Sequence, residues 1–173
     1  ALVKGLNRPS ERIADISAMI TKDYIHFLRH HFALDWRGIH GAPHWARVRN
    51  NGLLLAKSTG ADAQVVEVFA FIHDAERRND GSDPEHGRRA AILAADINDE
   101  FFKLSPPQMY LLMDACEGHS LGGRQADVTV QTCWDADRLD LGRIGIKPLA
   151  EKLCTQAAKN PEVIEWAYGQ SLG

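Results

Sequence analysis

Apolar residues along this chain recur at intervals of three and four, the period of helices that bury one face. Ile13, Ile16, Ile20, Tyr24, Phe27 and Leu28 form such a stripe after Pro9-Ser10 and predict a first helix. A loop with Gly38 and Gly41 follows. Pro43 suits the first turn of a second helix, which runs towards Ser58 and ends at Gly60. Asp62 is a good N-cap for a third helix carrying Val65, Val66, Phe69 and Ile72. The polar run from Asn79 to Pro84 predicts a loop. Ala90 to Phe102 is helical again, and Ser105-Pro106-Pro107-Gln108 reads as a cap and a helix start. Gly118 to Gly123 is a loop. Val128 to Leu141 is helical until Gly142 and Gly145 break it, and Pro148 and Pro161 each open a terminal helix. No run sustains strand alternation; Val128-Thr129-Val130 comes nearest. The expectation is an all-α fold, a single globular domain over 1–173 of about seven or eight helices.

Composition narrows the class. The chain has 173 residues, 45% hydrophobic and 25% charged, which fits one globular domain and excludes disorder or low complexity. No apolar run approaches the roughly 20 residues needed to span a bilayer. The first residues show no apolar signal-peptide region, so the expected location is cytoplasmic. A net charge of −3 gives no electrostatic signal for nucleic acid. Cys116, Cys133 and Cys154 are widely spaced with no CxxC, which argues against a thiolate zinc site. They read as small buried hydrophobes in a reducing compartment.

The candidate chemistry lies in where histidines and aspartates meet the apolar stripes. His73, followed by Asp74, continues the stripe of Val65, Phe69 and Ile72. His44 shares a face with Val48, Asn51 and Leu55; His86 shares one with Ala90, Leu93 and Ile97. His119 follows Leu112, Ala115 and Cys116 at helical offsets, and Asp137 follows Val130, Cys133 and Trp134. One buried histidine is ordinarily satisfied by a hydrogen bond. Several helices that each aim an imidazole or carboxylate inward are hard to satisfy in pairs, whereas a metal centre satisfies them together. Imidazole and carboxylate donors without thiolate suit Mn, Fe, Co, Ni, Mg or a catalytic Zn.

These residues, in this order, resemble the HD-domain metal-dependent phosphohydrolases. The resemblance covers residues 20–145 and rests on HGAPHWARV at 40–48, FIHDAERR at 71–78, DPEHG at 83–87, EGHS at 117–120 and DADRLD at 135–140. It implies an all-α fold, with C-terminal helices over 148–172 beyond the motif-bearing core. It also implies His44, His73, Asp74 and Asp137 as metal ligands, with Asp74 as the bridge if two ions bind. Asp135 competes with Asp137 for the last place; its neighbours Gln131, Thr132 and Arg138 suggest a more polar face. His86 and His119 resemble the two extra histidines of dinuclear members, or they serve a substrate phosphate. Ser120-Leu121-Gly122-Gly123-Arg124 departs from the segment of the cyclic-dinucleotide branch.

Around this set, Arg77 stands four residues after His73, where a shared helical face would let it hold a phosphate oxygen. Arg47, three after His44, is a similar candidate, and His40 in the glycine loop is placed for substrate contact or proton relay. His26, His30 and His31 read as surface residues. The expected activity is a metal-dependent phosphohydrolase with one or two divalent ions, acting on a small phosphorylated substrate such as a nucleotide. The alternative is a non-catalytic metal- or nucleotide-binding regulatory module. No membrane partner is expected, and the last helix, with Val163, Ile164, Trp166 and Tyr168, can pack on the core or on a second copy as a homodimer.

Overall fold

A computed structural model describes residues 19–173. Every regular element among them is helical. α1 (Lys22–His31) starts where Thr21 accepts a hydrogen bond from the Tyr24 amide, and it buries Tyr24 and Leu28. The predicted stripe is shorter than its apolar residues suggest. Met19 and Ile20 form a bend ahead of the cap, and Ile13 and Ile16 lie outside the described residues. The Met19 amide donates instead to buried Glu67, at 3.3 Å.

α2 (Ala42–Thr59) carries Pro43 in its first turn and stops at Gly60, whose φ of 77° favours glycine. Asp62 caps α3 (Ala63–Ala70) by accepting from the Gln64 and Val65 amides. α4 (His86–Ile97) runs into one wider turn at Asn98–Phe102. α5 (Pro106–Gly118) opens on a reciprocal capping box between Ser105 and Gln108. α6 (Val128–Arg138) is capped by Asp127, and a tighter 3-10 turn follows at Leu141–Ile144. α7 (Gln156–Lys159) and α8 (Pro161–Ser171) close the chain.

One predicted terminal helix is replaced. Pro148 opens no helix: Leu149 is extended (φ −103°, ψ 130°), and only a single 3-10 turn forms at Ala150–Lys152. The reason lies in α6. The Asp135 carboxylate accepts from the Cys154 amide at 2.7 Å and the Thr155 amide at 2.8 Å, so this stretch satisfies its backbone without a helix.

The main core gathers Val48, Val66, Phe69, Leu112 and Val130 from α2, α3, α5 and α6. A second cluster joins Leu55, Leu139, Leu153 and Ile164, which seats the C-terminal helices on the end of α2. Trp45 is wholly buried and packs edge-on against Phe32 and Trp36, with ring centroids 5.0 and 5.4 Å away. Gly52 sets the spacing of the layers. A Cβ there would overlap Val66 and lie 3.3 Å from the Ala136 side chain. Its neighbour Asn51 donates to the Ala136 carbonyl at 3.0 Å. Both contacts draw the end of α6 against α2, which brings Asp137 towards His44. No helix among the described residues is long and apolar enough to cross a membrane.

Candidate metal centre

Six side chains from five segments meet in one buried cluster. His44 comes from the first turn of α2, His86 from the start of α4, and His119 caps the end of α5. Asp137 comes from the last turn of α6. His73 and Asp74 do not lie on α3, as the stripe implied; the helix ends at Ala70 and they follow in a run of turns. The periodicity misled because the turn keeps helix-like bonding for one more step. The His73 amide still donates to the Phe69 carbonyl at 3.0 Å, so His73 stays in register with Phe69 although the helix has stopped.

The imidazoles are fixed in one tautomer. His73 Nδ1 donates to the Phe69 carbonyl at 3.1 Å and His119 Nδ1 to the Cys116 carbonyl at 2.7 Å. His86 Nδ1 donates to the Asp83 carbonyl, and His44 Nδ1 to the Asp140 carboxylate at 2.6 Å. Carbonyls and ionised carboxylates only accept, so each ring in its neutral form carries its proton on Nδ1 and presents an Nε2 lone pair to the cluster.

Those lone pairs face one another. His44 Nε2 and His73 Nε2 are 3.1 Å apart, and His86 Nε2 and His119 Nε2 are 2.8 Å apart. Two acceptors at such distances repel unless a cation or a shared proton lies between them. Asp74 stands between the two pairs. Its Oδ2 is 3.7 Å from His44 Nε2 and 3.7 Å from His73 Nε2, while its Oδ1 is 3.2 Å from His86 Nε2 and 3.5 Å from His119 Nε2. Asp137 Oδ1 closes the first group, 3.3 Å from His44 Nε2 and 3.6 Å from His73 Nε2. His44, His73 and Asp137 can together hold a metal ion, and so can His73, Asp74 and His119. The donor set fits a divalent ion: neutral imidazoles and carboxylates converge with no thiolate among them.

Burial and charge agree with this arrangement. Burial alone would push the Asp74 carboxyl up, but the surrounding imidazoles in their charged form, His73 first and then His119, His40 and His86, hold it well below the usual carboxylate range. Burial would likewise raise Asp137, and the charged forms of His44 and His73, whose Nε2 atoms lie 3.3 and 3.6 Å away, bring it well down. Burial lowers His44, yet its bonds to Asp137 and Asp140 outweigh that and raise it. Asp137 is the most open of the six, with 15% of its side chain exposed, and marks the mouth of the cluster.

The remaining predicted residues take definite places. His40, buried in its glycine loop, donates Nδ1 to Asp74 Oδ2 at 2.9 Å. Arg77 is not on a shared helical face with His73. It lies in the turn beyond, where Nε donates to Asp74 Oδ1 at 3.1 Å and Nη1 to the Asn79 and Gly81 carbonyls. Arg47 points at Asp140 and grips it with Nε and Nη2, at 2.6 and 3.2 Å. Asp135 is not on a polar face: it is wholly buried and spent on Cys154 and Thr155, so Asp137 is the acid that reaches the histidines. His26, His30 and His31 are exposed. Cys116 and Cys133 are buried free thiols and Cys154 is half-buried.

Sequence reasoning missed Asp140. It is fully buried, and it accepts from His44 and Arg47, with Arg143 3.9 Å away. Arg143 in turn donates to the Ile39 carbonyl at 2.8 Å, tying the His40 loop to the same carboxylate. The available signal was its place in DADRLD, one helical step beyond Asp137. Gly87 was also passed over. A Cβ there would overlap the Cys116 carbonyl that His119 uses and lie 3.3 Å from His119 Nδ1.

No family model matches the chain, and no curated protein matches it. A solved structure shares its fold: the crystal structure of a predicted HD superfamily hydrolase from an uncultured Thermotogales bacterium. The TM-score is 0.64 at 22% identity, over 84% of this chain and 83% of that one. Among the described residues the architecture is all-helical, and its fold resembles that of this solved structure.

Proposed function

We propose that the protein is a metal-dependent phosphohydrolase acting on a nucleotide or another small phosphoester or pyrophosphate. One observation carries the reading: two pairs of imidazole lone pairs, locked in place by acceptors behind them, face each other with the Asp74 carboxylate between the pairs. His44, His73, Asp137 and one oxygen of Asp74 would hold one divalent ion. His86, His119 and the other oxygen of Asp74 would hold a second. So many imidazoles favour Mn, Fe, Co, Ni or Zn over Mg. Divalent ions held there would supply Lewis acidity, activating water at neutral pH and offsetting charge gained at a phosphoryl group.

The chain's own residues then do three things. Asp140 and the backbone carbonyls fix each ring so that no reorientation is needed on binding. His40 donates to one oxygen of Asp74 and Arg77 to the other, which fixes the orientation of the carboxylate. The N–H groups that Arg77 does not spend on Asp74, Asn79 and Gly81 suit a phosphoryl oxygen, whose charge grows during hydrolysis. Burial of the ligand rings keeps these charges in a poorly screened environment, where they act strongly.

The test is metal content by elemental analysis of protein purified without added metal, beside His73→Ala, followed by a screen of phosphate release from nucleotides. The expected result is about one to two equivalents of metal, lost in the variant, and release that stops on chelation. Asp74→Asn that keeps its fold and loses release supports catalysis; loss of fold together with metal supports the regulatory module instead. Failure to bind any divalent ion after reconstitution sinks the hydrolase reading.

A further inference from the structure

His86 reaches the cluster from the far side of a loop that has no packing to place it. Residues 78–82 are exposed and form no helix between the turn that carries Asp74 and the start of α4. A span of that kind sets no distance by apolar contact, so polar bonds have to set it.

Arg89, in the first turn of α4, supplies them. Its Nε and Nη2 donate to the Glu76 carbonyl at 3.3 and 3.0 Å, and Nη2 also meets both Asp83 carboxylate oxygens, at 2.8 and 2.6 Å. Each acceptor leads on to a cluster residue through a bond of its own. Glu76 lies inside the turn that the Arg77 amide closes on the Asp74 carbonyl at 3.1 Å. The Asp83 carbonyl accepts from His86 Nδ1, and its carboxylate accepts from the Arg78 amide at 2.9 Å. The two arms end on Asp74 Oδ1 and His86 Nε2, which stand 3.2 Å apart. A planar guanidinium can serve a carbonyl and a carboxylate at once in fixed directions, which the point charge of a lysine cannot.

The other half of the cluster is placed differently. Gly52 and Asn51 seat α6 against α2, which brings Asp137 to His44, and His73 keeps register with Phe69 in the core. None of those contacts involves Arg89.

We propose that Arg89 is a positioning residue for one half of the centre. It fixes the span between Asp74 and His86, and so sets the affinity for the ion that His86, His119 and Asp74 Oδ1 would share, while the ion of His44, His73 and Asp137 is left alone. The proposal rests on the reading of the cluster as a metal centre. Charge by itself predicts something else: a cation removed from beside a cation site tightens binding, and a cation exchanged for another leaves it unchanged.

The test titrates metal-free protein with Mn(II) and with Zn(II) by calorimetry. Electron paramagnetic resonance of the Mn(II) form reads whether the bound ions are isolated or exchange-coupled as a pair. Arg89→Lys keeps the charge without the fork, and Arg89→Ala removes both; melting temperature checks that each folds, and either one alone carries the test. Arg88→Ala is the control, because Arg88 pairs with Glu85 at the surface, 3.1 Å away, and touches neither flank of the loop. The expected result is two coupled ions in the wild type and in Arg88→Ala. In both Arg89 variants the first ion binds as before, the second binds about 10–100-fold more weakly, and the coupled signal gives way to that of an isolated ion. Two ions at unchanged or tighter affinity in the Arg89 variants, or both ions weakened alike, overturn the role of Arg89 and leave the metal centre standing. A wild type that binds one ion overturns it as well, since there is no second ion to place. A wild type that binds neither Mn(II) nor Zn(II) overturns the metal centre, and the proposal falls with it.

Discussion

Asp140 Oδ2 lies 2.6 Å from His44 Nδ1, and the same carboxylate is gripped by Nε and Nη2 of Arg47. This relationship sets the tautomer of a buried ring whose Nε2 faces the cluster. It also raises the donor strength of that nitrogen, because the carboxylate pulls on the opposite proton. Asp140→Asn keeps an acceptor for His44 and Arg47 but removes the charge. Divalent-ion affinity is expected to weaken about 10–100-fold, read by competition with a chromophoric chelator. The melting temperature of the metal-free variant serves as the control. An unchanged affinity would remove Asp140 from this role.

Asp135 and Asp137 stand two residues apart on α6 and separate function from stability. Asp135 bonds two backbone amides and the Thr155 hydroxyl in the interior, so Asp135→Ala strands buried donors at a cost of about 2–4 kcal/mol. Asp137→Asn is expected to lose metal with a smaller effect on denaturant unfolding, since its side chain is partly open. Unfolding curves and metal content on the two variants check the contrast. A stable Asp135→Ala that binds no metal would reverse the assignment.

Metal binding and protons compete at His44. Its folded pKa is raised, so in the metal-free protein the stability drawn from the charged ring is fully present below the unfolded value of about 6.5. That stability is lost as pH rises through the folded value. Binding has the opposite sign, because a metal needs the Nε2 lone pair that the extra proton occupies. Acidification from pH 8 to pH 6 is therefore expected to weaken metal affinity and to raise the stability of the metal-free form, as long as Asp74 and Asp137 stay ionised. Their lowered pKa values keep them so across this window. Titrations at the two pH values, with thermal melts in chelator, check both signs. Affinity that is flat with pH would contradict the fixed-tautomer geometry.

Gly87 holds α4 against the end of α5 at the residue next to His86. Gly87→Ala pushes a methyl into the Cys116 carbonyl and towards His119. The expected cost is about 1–3 kcal/mol of stability. Since His86 and His119 lie together on one side of Asp74, the second ion is expected to be lost before the first. Metal stoichiometry together with the melting temperature reads this out. Full occupancy at native stability would show that the helices part freely.

Much of this could be read along the chain because it depends on neighbours in sequence. Thr21, Asp62, Asp127 and Asn160 accept from amides two or three residues on, and Gly60 takes the left-handed turn that ends α2. Stripes of apolar residues identified which faces are buried and that histidines sit on them. They could not show where α3 stops, since His73 keeps helical register with Phe69 beyond its last turn. They set Asp137 apart with Val130, Cys133 and Trp134 but misjudged Asp135, whose face is not polar: it is wholly buried against Cys154 and Thr155.

By itself the sequence determined the helical class, most helix starts and the residue types available for chemistry, because periodicity and capping are local effects. Only the tertiary structure decided that Arg47 serves Asp140, that Pro148 opens no helix, and that Asp140 stands behind His44. Those outcomes come from contacts between segments far apart in sequence, His44 and Asp140 being 96 positions apart. A buried polar group takes whichever partner the packed helices bring within reach, and no local pattern encodes that choice.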